Sequence, residues 1–281
     1  MVFPIPFLVL CVLAVLAGVS MNGSVLFITS CRVERTVSAV WFRNWAMSDF
    51  IFIVFLPLRF TSIFLLDWAK WLSSTVTSLH LFSSTFILTA FSVHRCILVA
   101  HPVWAQNHCT PRQAVCVVLG MWTLSLGFGL RYSDLWESLL LPDRIRDNFQ
   151  LDEERLKAAA AIQLLVGFLI SLALILIPTF YIFLAAKLRR NRLSQSTKPF
   201  KSLFGLIPTF LIYWLPYHIF CFLLVTLYPI PTLQVIASVL TYFNSCLNPI
   251  FYLTMEDEFQ RYRQHAHNPQ TADNSGPEPA E

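Results

Sequence analysis

Seven apolar runs, each long enough to cross a lipid bilayer, take up most of this sequence. A membrane-spanning helix needs about 20 mostly apolar residues. Runs of that kind lie near residues 3–30, 38–66, 71–100, 113–131, 158–186, 202–227 and 232–254. Only 13% of the residues are charged, against about 25% in a soluble domain. The sequence therefore predicts an all-α membrane protein, a bundle of seven transmembrane helices.

The charged residues between these runs predict how the chain is oriented in the membrane. The segments after runs one, three and five are rich in Lys and Arg, whereas the segment after run four is mostly acidic. Basic loops stay on the cytosolic side. We therefore expect a multi-pass protein of the plasma membrane, with its N-terminus outside the cell, its C-terminus in the cytosol and its spans in contact with membrane lipids.

The chain divides into two predicted parts, a seven-span domain over residues 1–255 and a cytoplasmic tail over residues 256–281. At the start of the tail, Phe259 and Tyr262 recur at helical spacing beside two arginines. That pattern predicts a short amphipathic helix lying on the inner membrane face, and a frayed basic tail is the alternative. The end of the tail is rich in Pro, Asn and acidic residues, which predicts disorder.

Polar side chains inside the predicted spans are candidates for function, because a polar group is unfavourable in the bilayer. In the second span, the carboxyl group of Asp49 has to be protonated, paired or bound to a cation. Neutral oxygens on other spans could surround it, and such a set suits a hard monovalent cation. The candidate ligands are Asp49, Ser84, Asn244, Ser245 and Asn248. The alternative is a protonated Asp49 within a network of hydrogen bonds.

Single polar or aromatic residues and short proline motifs follow one another along six of the spans. They are Asn22, Asp49, Arg95, Trp122, Trp214-x-Pro216 and Asn248-Pro249-x-x-Tyr252. In this order the chain resembles the rhodopsin-like (class A) G-protein-coupled receptors over about residues 10–265. Further stretches are similar to chemoattractant receptors, in particular the chemerin receptor and the formyl-peptide receptors. These stretches are residues 36–42, 101–108, 187–193, 198–201 and 243–249.

The resemblance implies a receptor, not an enzyme, that binds an extracellular peptide, lipid-like or other carboxylate-bearing ligand and activates heterotrimeric G proteins of the inhibitory class. It implies no cofactor and no nucleic-acid partner, but it does imply a sodium ion at the Asp49 group that favours the resting state. It also implies an activation switch. The switch residues are His94, Arg95, Tyr181, Trp214, Pro216, Asn248, Pro249 and Tyr252.

For Trp214 and Pro216, a role can also be argued from physical chemistry alone. Pro216 removes a backbone hydrogen bond in the sixth span and so provides a hinge. Trp214 lies two residues before it, and simple core packing is the alternative role for this side chain. By the resemblance, Tyr181 and Tyr252 meet near Arg95 in the active state.

Two arginines near the outer ends of spans are the candidate ligand contacts. Arg59 lies in the outer part of the second span and Arg131 ends the fourth. In an apolar funnel, two guanidinium groups could hold a ligand carboxylate. The alternative is that they snorkel to the outer headgroups, a role that suits Arg131 better than Arg59.

The sequence departs from the family pattern at the extracellular disulfide. Related receptors join the top of the third span to the loop after the fourth span by a disulfide bond, and neither place holds a cysteine here. The seven cysteines fall inside spans or in loops assigned to the cytosol, which is reducing, so we expect no structural disulfide. The loss of such a bond costs about 2–5 kcal/mol, so the outer vestibule should be loosely held.

Two histidines are further departures from the pattern. His94 stands where related receptors carry an acidic residue before Arg95, and an imidazole cannot pair with a guanidinium as a carboxylate does. We therefore expect Arg95 to be held only weakly in the resting state, a condition we call a weak resting latch, and this predicts raised basal signalling or poor folding. The alternative is that the receptor signals normally with a different residue at this place. His80 replaces the asparagine that the subgroup carries in its third span.

Other classes of membrane protein remain as alternatives. The chain could be a non-signalling decoy, or a decayed receptor retained in internal membranes. A transporter is less well supported, because the two halves show no inverted repeat with matching broken helices. For an enzyme, no Ser/His/Asp set, metal-ligand cluster or phosphate-binding loop occurs in a plausible context.

Overall fold

The computed structural model describes residues 5–31, 36–61, 67–140, 149–188, 198–226 and 231–255. Nearly all of these residues are helical. The helices are α1 (Ile5–Cys31), α2 (Val37–Thr61), α3 (Asp67–Ala100), α4 (Pro102–His108), α5 (Pro111–Leu140), α6 (Phe149–Leu164), the π-helical segment π1 (Leu165–Ile170), α7 (Ser171–Leu188), α8 (Lys198–Thr226) and α9 (Pro231–Met255).

The long helices match the seven predicted spans. The helix α6 continues through π1 into α7 without a break, because Leu164 and Ser171 on either side of π1 both have α-helical backbone angles. Counted as one element, these three segments join α1, α2, α3, α5, α8 and α9 to make seven long helices. Within the described part of the chain, five stretches are by themselves long and apolar enough to cross a bilayer. The predicted seven-helix membrane bundle is confirmed.

The boundaries of two elements differ from the sequence prediction. The fourth span was expected to end at Arg131, but α5 continues to Leu140. Hydropathy marks where an apolar run stops, whereas a helix can continue into polar sequence for several turns. The short helix α4 falls in a segment expected to be a loop. Pro102 occupies its first turn, where a missing backbone N–H and a fixed φ favour helix formation.

The third long helix lies at the centre of the bundle. In an 18-residue apolar window of the α3 span Trp71–Leu98, 67% of the residues are buried inside the protein, against 22% in such a window of the α5 span Pro111–Arg131. The helix α3 packs against α2, α5 and α7, whereas α1 packs against α2 and α9. The larger apolar core lies beside α3 and includes Phe42 and Phe91, whose ring centroids are 5.3 Å apart. A side chain on α3 can therefore contact several helices at once.

A glycine allows α5 to approach the backbone of α3. A Cβ atom added at Gly129 would lie 3.4 Å from the backbone N of Leu79 and 3.4 Å from the backbone O of Thr75. At Gly127, on the same helix, an added Cβ would meet nothing within 4 Å. The small residue at position 129 thus permits a close helix crossing, as small residues do in membrane proteins.

Candidate functional site

A cluster of buried polar side chains joins α2, α3 and α9 in the middle of the bundle. We call it the polar cluster, and it consists of Ser48, Asp49, His80, Ser83, Ser245 and Asn248. Each member is at most 2% exposed. On one side of the cluster, Asn248 donates a hydrogen bond from Nδ2 to Oδ2 of Asp49 over 2.9 Å. The cluster therefore links the second and seventh spans across 199 positions of sequence.

His80 lies at the centre of this cluster. Its Nδ1 is 3.3 Å from the Ser48 hydroxyl on α2, and its Nε2 is 3.2 Å from the Ser245 hydroxyl on α9. The imidazole stacks on the ring of Phe52 at a centroid distance of 4.2 Å, and Trp214 of α8 lies 5.7 Å away. One side chain of α3 thus contacts three other helices.

The predicted cation ligands are only partly brought together. Asp49, Ser245 and Asn248 all belong to the polar cluster, but Asn248 turns its amide nitrogen towards the carboxylate. The Ser84 hydroxyl accepts a hydrogen bond of 3.0 Å from Nε1 of Trp45. Asn244 is buried on α9. Of these five side chains, Asn248 donates a hydrogen bond to Asp49 and Ser245 also interacts with its carboxyl group.

The second carboxylate oxygen of Asp49 faces His80. Its Oδ1 lies 3.6 Å from Nδ1 of the imidazole, which is longer than a hydrogen bond. Among the described residues, no group donates a hydrogen bond to this Oδ1. Sequence reasoning had noted His80 as a polar residue of the third span and as a replaced asparagine, without placing it beside Asp49, and it had missed Ser48 and Ser83, whose hydroxyls lie 2.5 Å apart. Small polar residues inside apolar spans were the only signal that could have pointed to them.

A clamp between the first and seventh spans lies next to the polar cluster. Asn22 is fully buried, and its Nδ2 donates to the backbone O of Ser245 over 2.8 Å and to that of Gly18 over 3.0 Å. The clamp joins α1 to the backbone of a cluster residue. It gives a structural role to the first residue of the sequence signature.

Replacing Asn22 by alanine should loosen this clamp. The change leaves the Ser245 carbonyl without its donor from Asn22, and we expect the free energy of unfolding to fall by about 1–2 kcal/mol. Thermal unfolding of the purified protein measures it. The control is Ser20→Ala, since the Ser20 hydroxyl donates to Leu16 O within α1 and the described contacts give it no partner on another helix. A melting temperature as low in the control as in Asn22→Ala would contradict the clamp.

The arginine of the predicted switch lies near the C-terminal end of α3. Arg95 is 9% exposed, and its guanidinium carbon lies 4.7 Å from the centroid of the Phe91 ring. The neighbouring His94 is 8% exposed, with its ring 6.1 Å from that of Trp41. His94 lines an apolar groove of about 380 Å³ between α2, α3 and α5. Its Nδ1 has no hydrogen-bond partner among the described residues.

The tryptophan of the switch connects α8 to the polar cluster. Trp214 is 3% exposed and belongs to the larger apolar core, an arrangement compatible with the core-packing alternative. Its contact with His80 adds a second role. Pro216 and Pro249 lie inside α8 and α9, both of which continue past them.

Other predicted site residues are not assembled by the described structure. Tyr181 on α7 is 48% exposed, whereas the side chain of Tyr252 lies outside the described residues, so their meeting stays a prediction. The side chain of Arg59 also lies outside them. Arg131 is exposed on α5. The predicted amphipathic helix at residues 256–265 falls outside the described part as well.

All seven cysteines lie within the described residues, and none is bonded to another. They are Cys11, Cys31, Cys96, Cys109, Cys116, Cys221 and Cys246. The described bundle is therefore held by packing and hydrogen bonds without a covalent link between its helices.

Comparison with known proteins adds an independent line of support. The profile of the family described as "7 transmembrane receptor (rhodopsin family)" matches residues 21–252. Chemerin-like receptor 1 of Bos taurus is 32% identical over 91% of this chain and 77% of its own length. Formyl peptide receptor 2 of Mus musculus is 31% identical over 86% and 77%. Chemerin-like receptor 1 of Homo sapiens is 31% identical over 88% and 74%.

Proposed function

This chain belongs to the rhodopsin family of seven-transmembrane receptors, and from that premise we propose that it activates heterotrimeric G proteins of the inhibitory class when an extracellular chemoattractant peptide binds. It is a multi-pass membrane receptor similar to chemoattractant receptors, and it is not an enzyme. The proposal places it in the plasma membrane with its N-terminus outside. Its partners are then the ligand on one side, the G protein on the other and the lipids around it.

The observation that carries the proposal is the position of α3. This helix holds His80 in the polar cluster and Arg95 near its cytosolic end. Trp214 of α8 lies against His80, and Pro216 follows within the same helix, where its missing backbone hydrogen bond would provide a hinge. A ligand that shifts α8 would therefore disturb the contacts of α3, and α3 carries the residue that meets the G protein in the family.

The ligand class follows from the relatives and from the candidate contacts. The names of the similar receptors refer to chemerin and to formyl peptides, and the second of these names points to a peptide. We propose that Arg59 holds a carboxylate of such a peptide. Arg131 is exposed on a helix that is largely unburied, which favours its alternative role of snorkelling to the headgroups.

The family resemblance also implies a sodium ion at Asp49 as an allosteric modulator. Asp49, Ser245 and Asn248 are the members of the predicted ligand set that belong to the polar cluster. The imidazole of His80 stands beside the free carboxylate oxygen, so the surroundings of Asp49 do not fit the ion. No other cofactor is required by the family.

The proposal is tested with the full-length receptor in cells. An epitope-tagged chain is expressed with Arg95→Ala as the inactive partner and Arg112→Ala, an exposed residue of α5, as the control. Chemerin and N-formyl peptides are applied in turn, and inhibition of cyclic AMP formation is measured at matched surface levels. We expect inhibition with the parent and Arg112→Ala, and at least a tenfold weaker response with Arg95→Ala.

Two outcomes of this experiment would support the alternatives. A chain that reaches the surface, binds one of these peptides and leaves cyclic AMP unchanged is a decoy. A chain that is retained in internal membranes is a decayed receptor, in which the absent disulfide and His94 have weakened the fold. Either result overturns the proposal.

A further inference from the structure

The imidazole of His80 stands beside Asp49, the carboxylate at which the family resemblance implies a cation. It lies between the Asp49 carboxylate on α2 and the Ser245 hydroxyl on α9, with Nδ1 3.6 Å from Asp49 Oδ1 and Nε2 3.2 Å from Ser245 Oγ. The ring is 2% exposed. It therefore fills the interior space that faces the carboxylate from α3.

The distances do not leave room for a cation at this oxygen. A hard cation such as Ca²⁺ lies about 2.3–2.6 Å from its oxygen ligands, and Na⁺ is of similar size. An ion placed between Asp49 Oδ1 and the imidazole would overlap the ring. On the other oxygen, the Asn248 amide nitrogen already donates over 2.9 Å. An ion can therefore approach neither Oδ1, which faces α3, nor Oδ2 from the side of α9.

The chemistry of the ligands also disfavours sodium. Imidazole nitrogen suits softer transition metals, whereas hard cations take carboxylate, carbonyl and water oxygens. One face of the His80 ring is covered by Phe52 at 4.2 Å, which keeps water ligands from that side. Ser84, one of the neutral oxygens expected around the ion, accepts a hydrogen bond from Trp45 instead.

We propose that the His80 side chain replaces the sodium ion of the family, so that an internal bridge and not a dissolved cation holds the resting arrangement of α2, α3 and α9. The bridge consists of the contacts of His80 with Ser48 and Ser245. Hydroxyl groups can donate and accept, so both contacts form with either tautomer of the ring. A resting state held in this way does not respond to the sodium concentration.

The bridge makes His80 a positioning residue between the polar cluster and the hinge of α8. Trp214 lies 5.7 Å from its ring, and Ser245 is only a few residues before Asn248-Pro249. A movement of α9 relative to α3 has to break the Ser245 contact, and a movement of Trp214 has to shift the ring. A bound ion can leave the protein during activation, whereas this side chain has to stay.

The test compares sodium dependence in the parent and in His80→Asn. The full-length receptor is purified in lipid nanodiscs, and its thermal unfolding is followed in NaCl and in N-methylglucamine chloride at equal ionic strength. We expect no sodium-specific shift of the melting temperature in the parent. In His80→Asn, a smaller side chain with an amide oxygen opens the space, and we expect sodium to raise the melting temperature by a few degrees.

Matched variants show whether a gained sodium response belongs to this site. His218→Asn changes another buried histidine, which packs against Phe168, and it should show no sodium response. Adding Asp49→Asn to His80→Asn should abolish the gained response. Potassium chloride in place of sodium chloride should not raise the melting temperature of His80→Asn.

Two results would overturn the proposal. One is a sodium-specific stabilisation of the parent, which needs no substitution and so decides the question even if a variant fails to fold. The other is a folded His80→Asn protein whose melting temperature ignores sodium. The family supplies the expectation of sodium binding, but the measurement uses no ligand and no G protein. Its failure is therefore distinct from a failure of the proposed signalling function.

Discussion

Gly129→Leu should keep most of the receptor from reaching the cell surface, whereas Gly127→Leu should be tolerated. At position 129 even a Cβ would lie 3.4 Å from the backbone of both Leu79 and Thr75, and a leucine adds three more carbon atoms beyond it. Backbone atoms cannot rotate aside as a flexible side chain can. The helices α3 and α5 would have to separate along a large part of their contact.

The expected loss is large because α3 is the central helix. Overpacking costs about 1–3 kcal/mol, and a clash with backbone belongs at the upper end of this range. In cells, chaperones and proteases remove the unfolded fraction, so a loss of stability of this size lowers the abundance of a protein several-fold. The fraction of tagged receptor at the surface and the melting temperature of the solubilised protein measure the effect.

Gly127→Leu is the matched control for this prediction. It lies two residues away on α5, is exposed, and meets nothing within 4 Å. Both substitutions replace a glycine of α5 by leucine, so the gain in helix propensity is equal. Similar surface levels for the two variants would show that the close crossing at Gly129 does not control folding.

His94→Asp should lower basal activation of the G protein about tenfold. Arg95 is largely buried next to this position, and the present imidazole offers it no carboxylate. A hydrogen bond to a charged group contributes about 1.5–3 kcal/mol, and 1.4 kcal/mol corresponds to a factor of ten in an equilibrium. A carboxylate that pairs with Arg95 would stabilise the resting state by this amount.

His94→Asn is the control, because it has nearly the same size as aspartate but no charge. Guanine-nucleotide exchange is measured without ligand, with the three proteins at equal surface levels. The parent and His94→Asn should exchange at similar rates, and His94→Asp should be slower than both. Equal rates for all three proteins would show that the identity of this residue does not set the resting latch.

The number and type of the helices could be predicted from the sequence because the bilayer permits few solutions. Every backbone polar group in a bilayer has to be bonded within the protein, so apolar runs of this length become helices. The segment π1 and the helix α4 could not be predicted in this way. At π1 the Ser171 hydroxyl donates to Val166 O, five residues earlier, and neither composition nor hydropathy marks such a local change of winding.

The membership of the candidate site was predicted only in part. Asp49, Ser245 and Asn248 were expected together and lie in one cluster. Ser84 was expected beside them, but its hydroxyl is bonded to Trp45. Helix rotation decides which polar residue of a span points to the centre, and one position along a helix turns a side chain by about 100°. Neighbouring residues such as Ser83 and Ser84 therefore have different partners.

His80 shows most clearly what the sequence determines and what the tertiary structure determines. By itself the sequence determined a seven-helix membrane receptor with a buried carboxylate and a histidine in place of asparagine, because these follow from apolar length and from motif order. Only the tertiary structure decided that this imidazole contacts Ser245, 165 positions away, and faces Asp49 on a third helix. The physical reason is that such contacts depend on how whole helices pack and rotate against one another, and no local pattern in the sequence encodes that packing.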